Sequence, residues 1–417
     1  MKRKRIMILL LSAMCMLTGC GGAGNTEAKN LMSGIKKQKE NNVSQAGMAE
    51  EETKAAVKDF AVRLMDQNYK NGEDTLISPL SVLCALSMTA NGAKGETLAQ
   101  MEEVFGTSVD QLNRYLSGYR KALPQGDDAK LSMADSVWFK DDEGFEVNQT
   151  FLHTNKNWYD AGIYKAPFDE GTLKEINTWV SSHTDGMIGE ILDQIPEDAR
   201  MYLVNALAFD AEWQEAYTEY QVREDVFTRE DGSTRNAEFM YSEESRYLED
   251  ENTTGFLKPY KGGQYAFAAL LPSEGLSLED YLQSLSGEKL EILLDGAENI
   301  TVDAVLPKFE AEYSVEMSNM LIAMGMEDAF DGQKADLSGI GTCAEGNLCI
   351  GRVLHKTRMD VNEAGTKAGA ATVVEMLEEC AMEEPMDRKS VRLDRPFVYL
   401  LIDQEEKMPI FLGVMAE

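Results

Sequence analysis

The chain has 417 residues, 43% of them hydrophobic, with 72 acidic against 40 basic side chains and a formal charge of −32. That length suffices for one large domain or two ordinary ones, and so negative a surface repels nucleic acid and anionic polysaccharide. The chain has only 3 histidines and 6 cysteines, no HExxH, GxSxG, GxGxxG or phosphate-loop pattern and no metal-ligand spacing, so neither an enzyme nor a bound metal or cofactor is expected.

Residues 1–19 read as a signal peptide: Lys2–Arg5 is a positive start, and Ile6–Leu17 is an apolar run too short to span a bilayer. Leu17-Thr-Gly-Cys20 then sets a cysteine behind small residues, the pattern of a bacterial lipoprotein, with Cys20 the lipid-bearing first residue of the mature chain. This signal carries four basic and no acidic residues, so its removal takes the formal charge from −32 to −36. The expected location is the cell surface, outside the cytoplasm and anchored to the membrane by that lipid. Residues 20–50, rich in Gly, Asn, Gln, Glu and Lys, read as a flexible tether.

A domain follows over residues 51–417. Val57, Phe60, Ala61, Leu64 and Met65 recur at helical spacing, and a second helix runs from Pro79 to Ala90, with Cys84 on its apolar face. Asn91–Gly95 breaks it, and a short helix holds Leu98, Met101 and Phe105. Ser136–Phe139 reads as a strand and Thr172–His183 as a helix with Ile176, Trp179 and Val180 on one face. Met201–Phe209, almost wholly apolar, belongs in the middle of a sheet. Ala266–Leu271 is a further strand, Leu278–Leu294 is helical, and a strand ends at Pro307. Met317, Met320, Leu321 and Met324 form another packed helical face, and two apolar strands, Val398–Ile402 and Ile410–Val414, close the chain. His355, between apolar strands, reads as a hydrogen-bonded structural histidine, and His153 and His183 as solvated ones. No repeat or linker divides this region, so it reads as one α+β domain. Cys343 and Cys349 bracket a polar turn, compatible with a local disulfide and equally with two free thiols.

The stretch Val361–Val374 stands apart. From Thr366 to Thr372 every residue except Lys367 is small, and Val373 and Val374 are β-branched. Read with period 2, Thr366, Ala368, Ala370, Thr372, Val374 and Met376 form an uncharged face, so the segment can enter a sheet between two existing strands. With Val391–Leu401 (VRLDRPFVYLL), Ile77–Ser81 (ISPLS), Ile176–Val180 (INTWV), Leu203-Val-Asn205 with Trp213, Pro307-Lys-Phe309 and Met324-Gly-Met326 with Ala329-Phe330, it makes seven blocks in order by which the chain, from about residue 52 to its end, resembles a serpin. The resemblance implies three β-sheets, about nine helices and an exposed reactive loop, here about residues 363–390, that baits a serine or cysteine protease. The protease is caught as a covalent acyl-enzyme when the cleaved loop inserts into the large sheet, and the inhibitor is a monomer. The same resemblance implies a hinge at Glu363, Gly365, Thr366, Lys367, Ala368, Gly369, Ala370, Ala371 and Thr372. It implies a polar shutter of Ser78, Ser81, Asn205 and His355, a breach at Trp213, and a Glu363–Lys308 pair atop the hinge strand. One departure is Asp210-Ala-Glu-Trp213, where the family has Lys-Gly-x-Trp.

Counting from the hinge glutamate sets the reactive bond at Glu379–Cys380, but the loop is longer than is usual in the family. Cys380–Ala381, Met382–Glu383 and Arg388–Lys389 therefore stay open, and an exposed Cys380 would be open to oxidation. The alternative to inhibition is a non-inhibitory relative that binds a ligand or is merely cut. Such relatives often carry bulky or charged residues on the hinge face, and here that face is small and uncharged.

Overall fold

A computed structural model describes residues 28–37, 48–70, 72–123, 129–142, 144–197, 199–342, 347–366 and 387–417. In chain order the elements begin β1 (Lys29–Asn30), α1 (Met48–Asn68), β2 (Thr75–Ile77), α2 (Pro79–Ala90), α3 (Gly95–Phe105), α4 (Val109–Ala122) and β3 (Ala129–Lys140). Next come β4 (Glu146–Val147), α5 (Gln149–Trp158), β5 (Gly162–Ala166), α6 (Glu170–His183), β6 (Met201–Glu212), β7 (Val222–Thr228), β8 (Thr234–Glu244), β9 (Arg246–Glu249), β10 (Thr253–Pro259) and β11 (Tyr265–Pro272). The chain continues with α7 (Leu278–Ser284), α8 (Gly287–Asp295), β12 (Thr301–Pro307), β13 (Phe309–Glu316), α9 (Ser318–Ala323), β14 (Gly341–Thr342), β15 (Arg352–Val361), β16 (Gly365–Thr366), β17 (Arg388–Arg392), β18 (Phe397–Asp403) and β19 (Met408–Met415).

Among the described residues, three larger sheets and a two-stranded β14–β4 pair organise the fold. The large one has seven strands in the order β1-β5-β3-β6-β16-β15-β13; a six-stranded sheet runs β2-β19-β18-β11-β10-β9; and a four-stranded one runs β17-β12-β8-β7. The apolar runs read as strands, Met201–Phe209, Ala266–Leu271, Val398–Ile402 and Ile410–Val414, each lie inside a sheet, as continuous runs do when both faces are covered. β6 is buried from Met201 to Phe209; its inner face (Leu203, Leu207, Phe209) meets α2 and the six-stranded sheet, and its outer face (Tyr202, Val204, Ala206) meets α6. The helix α2 is buried at every position, Cys84 included, because it runs beneath the large sheet. Its start is fixed by Pro79 in the first turn and by Ser78, whose Oγ accepts the Ser81 N–H.

The tether read over residues 20–50 departs from the structure in part. Lys29 and Asn30 pair with Lys165 and Tyr164 as an edge strand on β5, and the Leu31 N–H donates to Ile163 O at 2.8 Å. Met32 is buried, and Leu31 and Ile35 pack against the main core. The physical reason is the open edge of β5, whose unpaired backbone groups and adjacent apolar surface reward any extended segment with three apolar side chains. Average composition over thirty residues hides such a segment. His153 also differs from the reading as solvated: it is half-buried on α5, with Nδ1 enclosed and without a hydrogen-bond partner. His183 is exposed, stacked on Trp179.

Candidate functional site: the slot in the large sheet

Below the hinge, β6 and β15 pair directly and in parallel, from Tyr202↔Arg352 to Ala208↔Arg358. Above that they diverge, and β16 occupies the gap, Thr366 facing Ala211 of β6 and Val361 of β15. Two residues of the hinge, Gly365 and Thr366, therefore already stand as a strand in the sheet. Thr366 is fully buried, its hydroxyl hydrogen-bonded to the Tyr260 hydroxyl. A Cβ at Gly365 would lie 2.1 Å from Ala211 O, so only glycine fits beside β6 at this point. The turn into β16 is tied by Asn362, whose Oδ1 accepts the N–H groups of Ala364 at 2.9 Å and Gly365 at 3.3 Å. Lys367, Ala368, Gly369, Ala370, Ala371, Thr372, Glu379 and Cys380 lie outside the described residues, as do Cys20 and Cys343.

At the mouth of the slot Trp213 is fully buried and stacks on Tyr260 with ring centres 4.4 Å apart. Its indole N–H donates to Asn362 O at 2.8 Å, and its backbone N–H to Ala364 O at 2.9 Å. Lys308 Nζ lies 3.0 Å from Glu363 Oε2 and 3.2 Å from Glu238 Oε2. Partial burial acts to raise the Glu363 carboxyl, but its own backbone N–H and Lys308 outweigh that and hold it below the usual carboxylate range. Beneath the tryptophan lies a buried ion pair that the sequence did not reveal: Lys258 Nζ donates to Glu244 Oε1 at 2.8 Å and stands over the Tyr217 ring at 4.3 Å.

Midway down, the two strands are locked across the join. The buried His355 of β15 meets Asn205 of β6, Nδ1 to Oδ1 at 2.6 Å, while the Ser78 N–H donates to His355 Nε2 at 3.0 Å. Nε2 is thus the acceptor, which assigns the proton to Nδ1. Burial lowers the imidazole pKa to about 3, so the ring is neutral. The Asn205 amide N–H2 group donates to Ser81 Oγ and, at 2.6 Å, to Asp135 Oδ1. Asp135 of β3 is itself held by Arg120 of α4 at 2.7 Å. Its burial pushes the carboxyl above its usual range against the pull of Arg120 and Asn205. So Ser78, Ser81, Asn205 and His355 come together, and the cluster extends through two charged residues the sequence reading missed. The available signal was alternation: Asp135 shares a strand face with Val137 and Phe139, where a carboxylate needs a partner.

One alternative for the reactive bond is displaced. Arg388 and Lys389 stand in β17, paired with Thr301 and Val302, and Arg388 is gripped by Glu243 at 2.7 Å and Asp303 at 2.6 Å. β17 therefore begins at residue 388, so that residues 388–390, the last three of the loop read from sequence, stand in the four-stranded sheet, Arg388 held by Glu243 of β8 and Asp303 of β12 and Lys389 by Glu249 of β9.

Comparison with known proteins agrees with this geometry. The family described as Serpin (serine protease inhibitor) matches residues 55–417. Human serpin B9 is 31% identical over 368 residues, covering 85% of this chain and 96% of its own length. An uncharacterised serpin-like protein of Thermococcus kodakarensis is 29% identical, over 86% of this chain and 84% of its own. Among solved structures, the native state of the thermophilic serpin tengpin superposes with a TM-score of 0.87 at 44% identity, covering 94% of this chain and 100% of its own. Thyroxine-binding globulin in complex with thyroxine shares the fold at a TM-score of 0.77 and 22% identity, over 87% of this chain and 98% of its own.

Proposed function

The chain belongs to the serpin family, and from that premise we propose that it is a single-use protease inhibitor that traps its target covalently by loop insertion. Serpins are in general protease inhibitors, and some members are binding proteins that inhibit nothing. The observation that carries the inhibitory reading is β16: the hinge is seated between β6 and β15, and what must follow it is small and uncharged on the buried face. Continuing the β16 register down the slot sets Ala368 beside Phe209, Ala370 beside Leu207, Thr372 between Asn205 and His355, and Met376 beside Met201. No charge meets the inner core along that path. The outer face carries Lys367, which falls between Asp210 and Asp360, and Glu375, which falls beside Arg352, so both charges meet their opposites.

The steps follow from the same geometry. A serine protease attacks the loop at Glu379–Cys380 or a neighbouring bond and is held as an acyl-enzyme; the released strand then replaces the seven direct β6–β15 register pairs with two ladders, one on each side. Gaining about ten backbone hydrogen bonds at ~1 kcal/mol each gives on the order of 10 kcal/mol before packing, comparable with a domain's whole stability. From Thr366 to Glu379 the inserted strand spans about 46 Å, which carries the protease from the hinge end of the sheet to the Met201 end. The protein performs no turnover of its own. It acts outside the cytoplasm, as a monomer held to a membrane through a lipid on Cys20. The reading is tested by cutting the loop with an enzyme that is not trapped and following thermal unfolding. Insertion raises the midpoint of the cut protein by tens of degrees; an unchanged or lowered midpoint refutes it.

A further inference from the structure

We propose that residues 28–37 form a strap that fixes how the protein stands on its membrane, the Met201 end of the large sheet toward the bilayer and the hinge end away from it. The inference rests on the reading of Cys20 as the lipid-bearing residue.

The first observation is direction. β1 is antiparallel to β5, which runs parallel to β3, and β3 is antiparallel to β6. Lys29 therefore lies level with Met201 and Asn30 with Tyr202, so the chain enters the sheet from the Met201 end and climbs toward the hinge. Ala28, one residue earlier, is tied at that end by its N–H to Glu175 Oε2 at 3.0 Å.

The second is length. Eight residue steps separate Cys20 from Ala28, at most about 29 Å fully extended. Were the strap free, twenty-eight steps would separate Cys20 from Met48 at the start of α1, a reach of about 100 Å. The hinge, level with Ala211, stands about ten residues of strand above the strap, roughly 33 Å. An inverted molecule with its hinge end on the bilayer would hold Ala28 farther from the surface than the leash allows. A free tether permits every orientation; a docked one forbids inversion.

The third is charge. In a chain of formal charge −32, Lys29 and Lys36 are exposed on the strap, and Lys37 is spent on Asp160 at 3.4 Å. Lys29, level with Met201, sets an exposed cation at the end that faces an anionic lipid surface, where the rest of the protein is repelled, and this biases the same orientation. The consequence is that the reactive loop is offered to proteases arriving from outside, and a trapped protease is carried to the membrane side.

The test uses the mature chain from Cys20 onward, with Cys343, Cys349 and Cys380 replaced by serine. It is coupled through Cys20 to a maleimide lipid in phosphatidylcholine–phosphatidylglycerol vesicles that also hold a headgroup photo-crosslinker. Peptide mapping should find adducts around Lys29, Glu197 and Arg200 and none over Glu215–Tyr220. Met32→Asp and, independently, Leu31→Pro, which removes the donor to Ile163 O, should spread adducts to both ends while unfolding as cooperatively as the parent. Adducts at both ends of the parent, or an unchanged pattern in both variants, would overturn the strap. A separate measurement, the mass of the N-terminal peptide from membranes of producing cells, judges the lipid. An unmodified Cys20 there would remove the anchor the inference needs, whereas the vesicle experiment judges the geometry alone.

Discussion

Placing one carboxylate on either face of the inserting strand separates insertion from mere cleavage. In the register set by β16, residue 370 falls between Leu207 and Thr357, both fully buried, whereas residue 369 falls beside Ala208 and Arg358 on the opposite face. Ala370→Asp thus drives a charge into the inner core, at a cost of about 3 kcal/mol if several kcal/mol of desolvation is partly relieved by relaxation or protonation. If half of that is felt in the insertion barrier, insertion slows about tenfold, since ~1.4 kcal/mol is one decade in rate. Deacylation of the protease is unaffected, so the balance between trapping and release shifts by the same factor. Gly369→Asp instead sits on the partly exposed face beside Arg358, whose side chain is 37% exposed and already pairs with Glu310 and Glu312, so solvent can hydrate the new charge and the variant should trap nearly as well as the parent. The assay is the number of inhibitor molecules consumed per protease inactivated, read by titration of residual activity. The parent and Gly369→Asp should need close to one, Ala370→Asp several. Equal behaviour of the two variants would refute the register, and with it the argument that the buried face governs trapping.

Three further outcomes follow. Acidification should loosen the shutter: because His355 has its pKa lowered to about 3 from an unfolded value near 6.5, the folded state resists the proton, and stability falls as pH drops from 6.5 toward 3, by at most ~1.4 kcal/mol per pH unit. Urea midpoints across that range should decline less steeply in His355→Gln, and an equal slope in both proteins would assign the loss elsewhere. Asp135→Ala leaves Arg120 without its carboxylate and should cost about 3 kcal/mol, visible as a lowered denaturant midpoint, whereas a midpoint within error of the parent would show that solvent satisfies the guanidinium. Warming the intact protein just below its melting point should convert monomer into chains by insertion of one molecule's loop into another's sheet, and gel filtration showing only monomer after prolonged warming would count against metastability.

What the sequence discloses here follows how locally each feature is encoded. β6 was readable because nine consecutive apolar-biased residues admit few other fates, and α2 because Pro79 and Asn91 punctuate it at both ends. Of the hinge read from its small residues, Glu363, Gly365 and Thr366 fall among the described residues, and there Gly365 lies so close to Ala211 O that a side chain would not fit. The strap did not show, since three apolar side chains among polar neighbours gain their meaning from an edge of β5 that lies more than a hundred residues away. Nor did the Arg120–Asp135 pair or Lys258–Glu244: each joins side chains of different elements, and charge in a sequence reads as surface until a structure buries it. His153 was misjudged for a related reason, its polar neighbours in sequence being no guide to what covers α5.

The central claim is that a protease which cuts this loop is held, not released. Mixing the protein with a glutamyl endopeptidase, an elastase, a chymotrypsin-like and a trypsin-like enzyme, then running denaturing gels with mass spectrometry, tests it directly. A band of protease plus inhibitor that survives denaturation, with a released C-terminal peptide beginning after a residue between 367 and 386, is the predicted result. Cleavage by every enzyme with no covalent species would contradict it and leave a serpin fold that binds or is cut without inhibiting.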